Sequence, residues 1–171
     1  MVISLLGYMG SGKSHISNVL AKKTGFKLTD LDREISLKNK MSISEIFQNK
    51  GELYFRKEEH SLLEEIFTRK ENFIFSLGGG TPAYYDNMQL INNFSESVFL
   101  RTSIKHLAER LLRQKEKRPL IASIPDRDLK EFIAKHLFER NPYYSKAKHI
   151  IDTDNKSPEE IADEILSIIP F

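Results

Sequence analysis

Short apolar runs alternate along the chain with longer stretches whose apolar positions recur every three or four residues. Val2 to Leu6 is predicted as a first strand. Lys13 to Thr24 follows as a helix, with Ile16, Val19 and Leu20 on one face and Gly25 as its stop. Phe26 to Thr29 reads as a short second strand. Leu31 to about Lys70 reads as largely helical, with breaks near Met41-Ser42, where Ser42 and Glu45 form a capping-box pattern, and near Gly51. Phe73 to Leu77 is a third strand running into Gly78-Gly79-Gly80. Ser97 to Leu100 is a fourth, followed by a helix from about Ile104 to Leu112. Residues 113–126 are charged, carry Pro119 and Pro125 and lack a clean period, so they are expected to form a loop. A helix from about Arg127 to Lys146 is expected to bend or break near Pro142. His149 to Ile151 is a fifth strand, and Ser157-Pro158 opens a last helix with serine as cap and proline in the first turn.

Strands alternating with helices imply an α/β fold, a parallel sheet covered on both faces. Ligands bind such sheets beyond the carboxyl ends of the strands, so the residues just after each strand are where chemistry is to be sought. The length of 171 residues suggests one domain. No apolar run reaches the ~18 residues that span a bilayer, and the opening apolar run passes directly into a glycine loop, as a buried strand does and a signal peptide does not. With 26 basic and 24 acidic residues the chain is too balanced for nucleic acid to be its main partner. The lack of cysteine excludes disulfides and thiolate metal sites, and fits a reducing cytoplasm as well as other compartments.

The first strand leads into Gly7-Tyr8-Met9-Gly10-Ser11-Gly12-Lys13-Ser14, a complete G-x-x-x-x-G-K-[ST] phosphate loop in the strand-to-helix setting that the motif requires. Glycines let backbone N–H groups curl inward toward phosphate oxygens, and the helix adds the positive end of its dipole. Lys13 is placed to reach the β- and γ-phosphates, and the Ser14 hydroxyl to ligate Mg²⁺. The backbone N–H of His15 is a further candidate for the cradle. The five histidines lack zinc-ligand spacing and read as surface or packing residues.

Asp30-Leu31-Asp32 follows the second strand. In an extended segment both carboxylates face one way, suited to a metal and a substrate hydroxyl. The alternative is that Asp30 caps the next helix and Asp32 sits in its first turn. The proximity of the phosphate loop favours the first reading. Gly78-Gly79-Gly80 marks either a mobile connection or a place of close backbone approach. Arg56 and Arg140 each have acidic neighbours at helical spacing and read singly as surface ion pairs. If they met, they would make a carboxylate clamp. The basic run Arg113 to Ile121 is either a solvated loop or a lid that closes over ATP and excludes water.

Taken in order, Gly-x-x-Gly-Ser-Gly-Lys-Ser, Asp-x-Asp, Gly-Glu-x-x-Phe-Arg, Gly-Gly-Gly, Arg-Pro-Leu and Arg-x-Pro-x-Tyr, spread from Gly7 to Tyr144, resemble the shikimate kinase family. The resemblance implies a P-loop NTPase fold similar to nucleoside monophosphate kinases, three layers (α/β/α) around a five-stranded parallel sheet. It implies one kinase domain over 1–171, with an acceptor-binding region at about 31–60 and a lid at about 113–126. The implied activity is transfer of phosphoryl from ATP to the 3-hydroxyl of shikimate, a step toward chorismate and the aromatic amino acids, by a cytoplasmic monomer with no nucleic-acid or membrane partner. Asp32, Arg56, Gly78, Gly79, Gly80 and Arg140 match acceptor-binding positions, with Asp32 the candidate base. Lys13, Asp32 and Arg118 match catalytic positions. Gly10, Ser11, Gly12, Lys13, Ser14, His15, Arg110 and Arg118 match nucleotide-binding ones, and Ser14 and Asp30 support Mg²⁺, directly and through water. In the loop Asp152 to Lys156, Asn155 is the position matched to adenine. Thr81 departs from the small residue expected after the glycines. Two rivals stay open: another small-molecule kinase, such as one for gluconate or a nucleoside monophosphate, and a nucleotide-binding module without catalysis.

Overall fold

The computed structural model describes all residues, 1–171. Strands β1 (Val2–Leu6), β2 (Lys27–Asp30), β3 (Phe73–Ser76), β4 (Glu96–Arg101) and β5 (His149–Asp152) form one sheet in the order β2-β3-β1-β4-β5. Every neighbouring pair is parallel. The helices are α1 (Lys13–Thr24), α2 (Leu31–Asn39), α3 (Ile43–Phe67), α4 (Asn87–Phe94), α5 (Ile104–Arg113), the short α6 (Pro119–Ala122), α7 (Leu129–Tyr144) and α8 (Pro158–Ile168). None is long and apolar enough to cross a membrane.

The pleat sends alternate residues to opposite faces, and each face builds its own core. Ile3 and Leu5 of β1, Ile74 of β3, and Val98 and Leu100 of β4 pack with Ile16 and Leu20 of α1 and Ile161 and Ile165 of α8. Leu6, Phe73, Phe75 and Phe99 point the other way, into a larger core with residues of α2, α3, α4, α5 and α7. A sheet apolar on both faces is what a parallel arrangement needs, because helices cover both sides. Parallel pairing also brings all the strand ends to one edge: Asp30 lies opposite Ser76, and Leu6 opposite Phe99.

The expected break at Ser42 is a full capping box with Glu45. The break at Gly51 is a kink inside α3, where φ is +85° and a side chain would be strained. Three expectations change. Residues 113–126 are not an open loop but a run of tight turns and α6, started by Pro119 at a position where its missing N–H costs nothing. α7 runs unbroken through Pro142, which falls in its last turn. The carbonyl it leaves without a donor belongs to Phe138, a residue 83% exposed, so water can satisfy it. α4 was not foreseen at all.

Candidate active site

The phosphate loop joins β1 to α1. Gly10 and Gly12 hold φ values of +83° and +92°, which side chains rarely adopt, and a Cβ on Gly10 would meet Leu111 at 3.1 Å. Gly12 caps α1 without any side-chain bond, and no acidic residue sits in the first turn, so the positive helix end is left for an anion. Lys13 Nζ donates to the carbonyls of Gly7 (2.7 Å) and Tyr8 (3.2 Å), which keeps the ammonium within the loop. Burial lowers its pKa to about 8, against the opposing pull of Asp32. Arg110 of α5 donates to the Gly10 carbonyl at 3.0 Å, tying that helix to the loop. A cleft of about 620 Å³ opens here, lined by Gly10 to His15, Asp30, Asp32, Gly78, Gly79, Arg110 and Arg118.

Both readings of Asp30-Leu31-Asp32 hold at once. Asp30 ends β2 and caps α2, its Oδ1 accepting from the Arg33 N–H at 2.9 Å, and Asp32 sits in the first helical turn. Yet both carboxylates line the cleft. Burial, reinforced by the negative charges of Asp30 and Glu59, raises Asp32 to about 6, while Lys13 and Arg56 pull it down. An acid raised toward neutrality facing a lysine lowered toward it is the pairing expected at a reacting centre.

The triple glycine is a place of close approach. A Cβ on Gly80 would lie 2.8 Å from both terminal nitrogens of Arg56, one on Gly79 3.3 Å from Arg140, and one on Gly78 3.1 Å from Asp32 and 2.9 Å from Thr81. Arg56, from α3, and Arg140, from α7, thus converge on successive glycines. Arg56 is far from a surface ion pair. Its side chain is only 11% exposed, it donates to Glu59 Oε1 at 3.0 Å, and the Tyr84 ring lies 4.0 Å from its guanidinium carbon. Glu59, itself 1% exposed, also accepts from Thr81 Oγ1 at 2.7 Å. Two partly buried guanidinium groups beside a hydroxyl-accepting carboxylate suit a hydroxylated acid next to a nucleotide.

The shikimate kinase family model matches residues 9–170. A shikimate kinase of Flavobacterium johnsoniae is 47% identical over 98% of both chains, and one of Flavobacterium psychrophilum is 43% identical over the same shares. The chain belongs to the shikimate kinase family. The solved shikimate kinase of Bacteroides thetaiotaomicron superposes with a TM-score of 0.89 at 33% identity, covering 98% of this chain and 96% of that one. That of Acinetobacter baumannii, solved in complex with shikimate, gives 0.88 at 29% identity, covering 98% and 91%. The P-loop kinase fold is therefore the family's own, as its sheet and helices indicate.

Within this shikimate kinase site, Arg118 ends the turn before α6. It lines the cleft and donates to Gln114 Oε1 at 3.0 and 3.2 Å, and burial lowers its pKa. The Lys115–Asp126 pair at 2.6 Å spans the same segment. Asn155 does not line the cleft: it turns through φ +60°, exposed, while Lys156 and Pro158 beside it reach the wall. Sequence reasoning gave no site role to Glu59, Thr81, Tyr84 or Lys156. Glu59 left a trace as an acid three positions from Arg56, and Thr81 as an unexpected residue after the glycines. His60 pairs with Asn87 and His149 with Glu96, while His15 is exposed. Ser103 Oγ and Asp154 both approach the same nitrogen of His106, Nδ1, at 2.9 and 3.3 Å. That trio therefore caps α5 and is no proton relay, which needs a partner on each ring nitrogen.

Proposed function

We propose that the phosphate loop of this chain holds ATP while Asp32, Arg56, Arg140 and the Gly78–Gly80 segment hold shikimate, and that the γ-phosphoryl passes to the 3-hydroxyl to give shikimate 3-phosphate and ADP. The observation that carries the reading is the convergence of Arg56 and Arg140 on adjacent glycines of the segment that also meets Asp32. The shikimate carboxylate would lie between the two guanidinium groups, which turns the ring hydroxyls toward Asp32. The hydroxyl oxygen bonds to the γ-phosphorus as the bond to the β,γ-bridging oxygen breaks. ADP leaves with that electron pair, and the hydroxyl proton passes to an Asp32 carboxylate oxygen. Lys13 and the inward N–H groups of the loop offset charge on the transferring group, and Arg118 adds a cation from the lid while the lid keeps water out.

The cleft also suits Mg²⁺. It offers a hydroxyl (Ser14) and carboxylates (Asp30, Asp32), and no group of three or more acidic or histidine side chains forms a protein cage, as befits an ion held largely by phosphates. Ser14 would hold it directly and Asp30 through water; when bound, it neutralises charge developing on the phosphate oxygens. The working unit proposed is a monomer, and use of ATP supports a cytoplasmic setting. The test is ADP release by the purified protein with Mg²⁺-ATP and, in turn, shikimate, gluconate and nucleoside monophosphates, with the product weighed by mass spectrometry. Turnover of shikimate alone is expected. Preference for another acceptor, or ATP binding with no transfer, would sink the assignment.

A further inference from the structure

Tyr8 lies in the phosphate loop, but phosphate binding asks only for its backbone. Its side chain is 1% exposed, and its hydroxyl pairs with Nδ1 of His136 at 2.9 Å, the two rings standing edge to face with centroids 5.4 Å apart. His136 sits on α7 one turn before Arg140, and Tyr144 one turn after it. The four-residue spacing puts all three on one face of the helix. The Tyr144 hydroxyl donates to the Gly79 carbonyl. This face of α7 is therefore fastened to the nucleotide loop at one end and to the glycine segment at the other, with Arg140 between the fastenings. The guanidinium carbon of Arg140 lies 5.7 Å from the centre of the Tyr8 ring, so the same tyrosine that anchors the helix also borders the arginine. The Phe132 ring also packs on His136, with centroids 5.5 Å apart. Burial first, and then the charge of Arg140, lower the His136 pKa. A neutral imidazole there brings no second cation against Arg140.

We propose that the Tyr8–His136 hydrogen bond positions Arg140 for the acceptor carboxylate, making Tyr8 and His136 positioning residues of the acceptor site although Tyr8 belongs to the nucleotide loop. The proposal rests on the reading of Arg140 as a partner of that carboxylate. Without the bond, the core packing of α7 and the Tyr144 bond remain, but the face carrying Arg140 loses its hydrogen bond to the nucleotide loop, and the guanidinium gains freedom on that side. Because the Lys13 contact uses the Tyr8 carbonyl and not its hydroxyl, loss of the hydroxyl leaves the phosphate cradle standing.

The test is steady-state kinetics on Tyr8→Phe, His136→Ala and His136→Asn, each made with Arg140 present and with Arg140→Ala, alongside thermal melts. Tyr8→Phe and His136→Ala are expected to raise the shikimate KM about fivefold, the loss of one ordinary hydrogen bond, with kcat and the ATP KM near wild type. His136→Asn, whose amide oxygen falls where Nδ1 lies, recovers most of that loss. With Arg140→Ala the effect of Tyr8→Phe disappears, because the group it positions is gone. The proposal is overturned by an unchanged shikimate KM in Tyr8→Phe, by the same fivefold loss in the Arg140→Ala background, or by equal losses for ATP and shikimate. If Arg140→Ala alone leaves the shikimate KM unchanged, it is the underlying assignment of Arg140 that fails.

Discussion

Replacing Gly80 by alanine puts a single methyl group under the Arg56 guanidinium. The backbone there, at φ −93° and ψ −12°, accepts any residue, so no conformational strain opposes the change. The new Cβ would sit 2.8 Å from both terminal nitrogens of Arg56 and 3.1 Å from the carbon between them. Ordinary van der Waals contact begins at 3.4 Å, so the guanidinium must retreat by 3.4 − 2.8 = 0.6 Å. It cannot retreat freely, because Glu59 holds one nitrogen at 3.0 Å and Tyr84 faces it at 4.0 Å. A misplacement of about 1 Å in a positioning group can cost on the order of a hundredfold, so a shift of this size should weaken shikimate use by roughly ten- to a hundredfold. What moves is the end of an arginine side chain, so the melting temperature should change little. The assay is coupled ADP release over a shikimate titration, with thermal melts in parallel. Gly79→Ala gives the internal control: its nearest contact is 3.3 Å, to Arg140, and its loss should be clearly smaller. A Gly80→Ala protein with the wild-type shikimate KM, or one that loses stability and ATP binding as much as shikimate use, would refute the placing of Arg56 in the acceptor site.

The other expectations concern the reacting groups. Asp32 must be ionised to take a proton, and its carboxyl is raised to about 6, so activity should fall as pH drops through about 6; Lys13 must be charged, and at about 8 in the free protein it should be lost as pH rises through that value. A kcat/KM profile with its acid limb near 4 would contradict this. Asp32→Asn should abolish the acid limb and lower kcat far more than ATP affinity, since the amide keeps the shape and loses the charge; equal losses in both would instead give Asp32 a metal-holding role. Arg118→Ala should lower kcat more than it raises the shikimate KM, whereas an unchanged kcat with a raised shikimate KM would move Arg118 into the acceptor pocket.

The parts of the site legible in the sequence are those whose chemistry is contiguous. The phosphate loop needs its glycines, lysine and serine within eight positions, and the Ser42–Glu45 box and the Gly51 break are likewise decided by neighbours. Arg56 and Arg140 are different. Each has a local acid that makes a surface pair plausible, and only the crossing of α3 and α7 at the Gly78–Gly80 segment brings them together. Glu59 is legible only as an acidic neighbour of Arg56, because the hydroxyl it accepts from, that of Thr81, lies on a different element. α4 escaped because its eight residues bury few apolar side chains, chiefly Met88 and Ile91, too few for a period to register. Asp30 and Asp32 posed a choice that the fold does not make: the strand end aims the cap at the cleft, so one pair of carboxylates serves both local structure and site. At Pro142 the local rule was overridden, because a proline in a solvated last turn leaves only one carbonyl to be hydrated.

The recognition of a carboxylate by paired arginines is tested most directly on the acceptor itself. The measurement is kcat/KM for shikimate and for shikimate methyl ester, on the wild type, Arg56→Ala and Arg140→Ala. Truncating one side of a buried charged pair costs about 2–5 kcal/mol, so the wild type should use the ester at least about tenfold less well than the acid. In each arginine variant that preference should shrink, since half of the clamp that reads the charge is missing. Equal use of acid and ester by the wild type, or a preference undiminished in both variants, would contradict the carboxylate clamp.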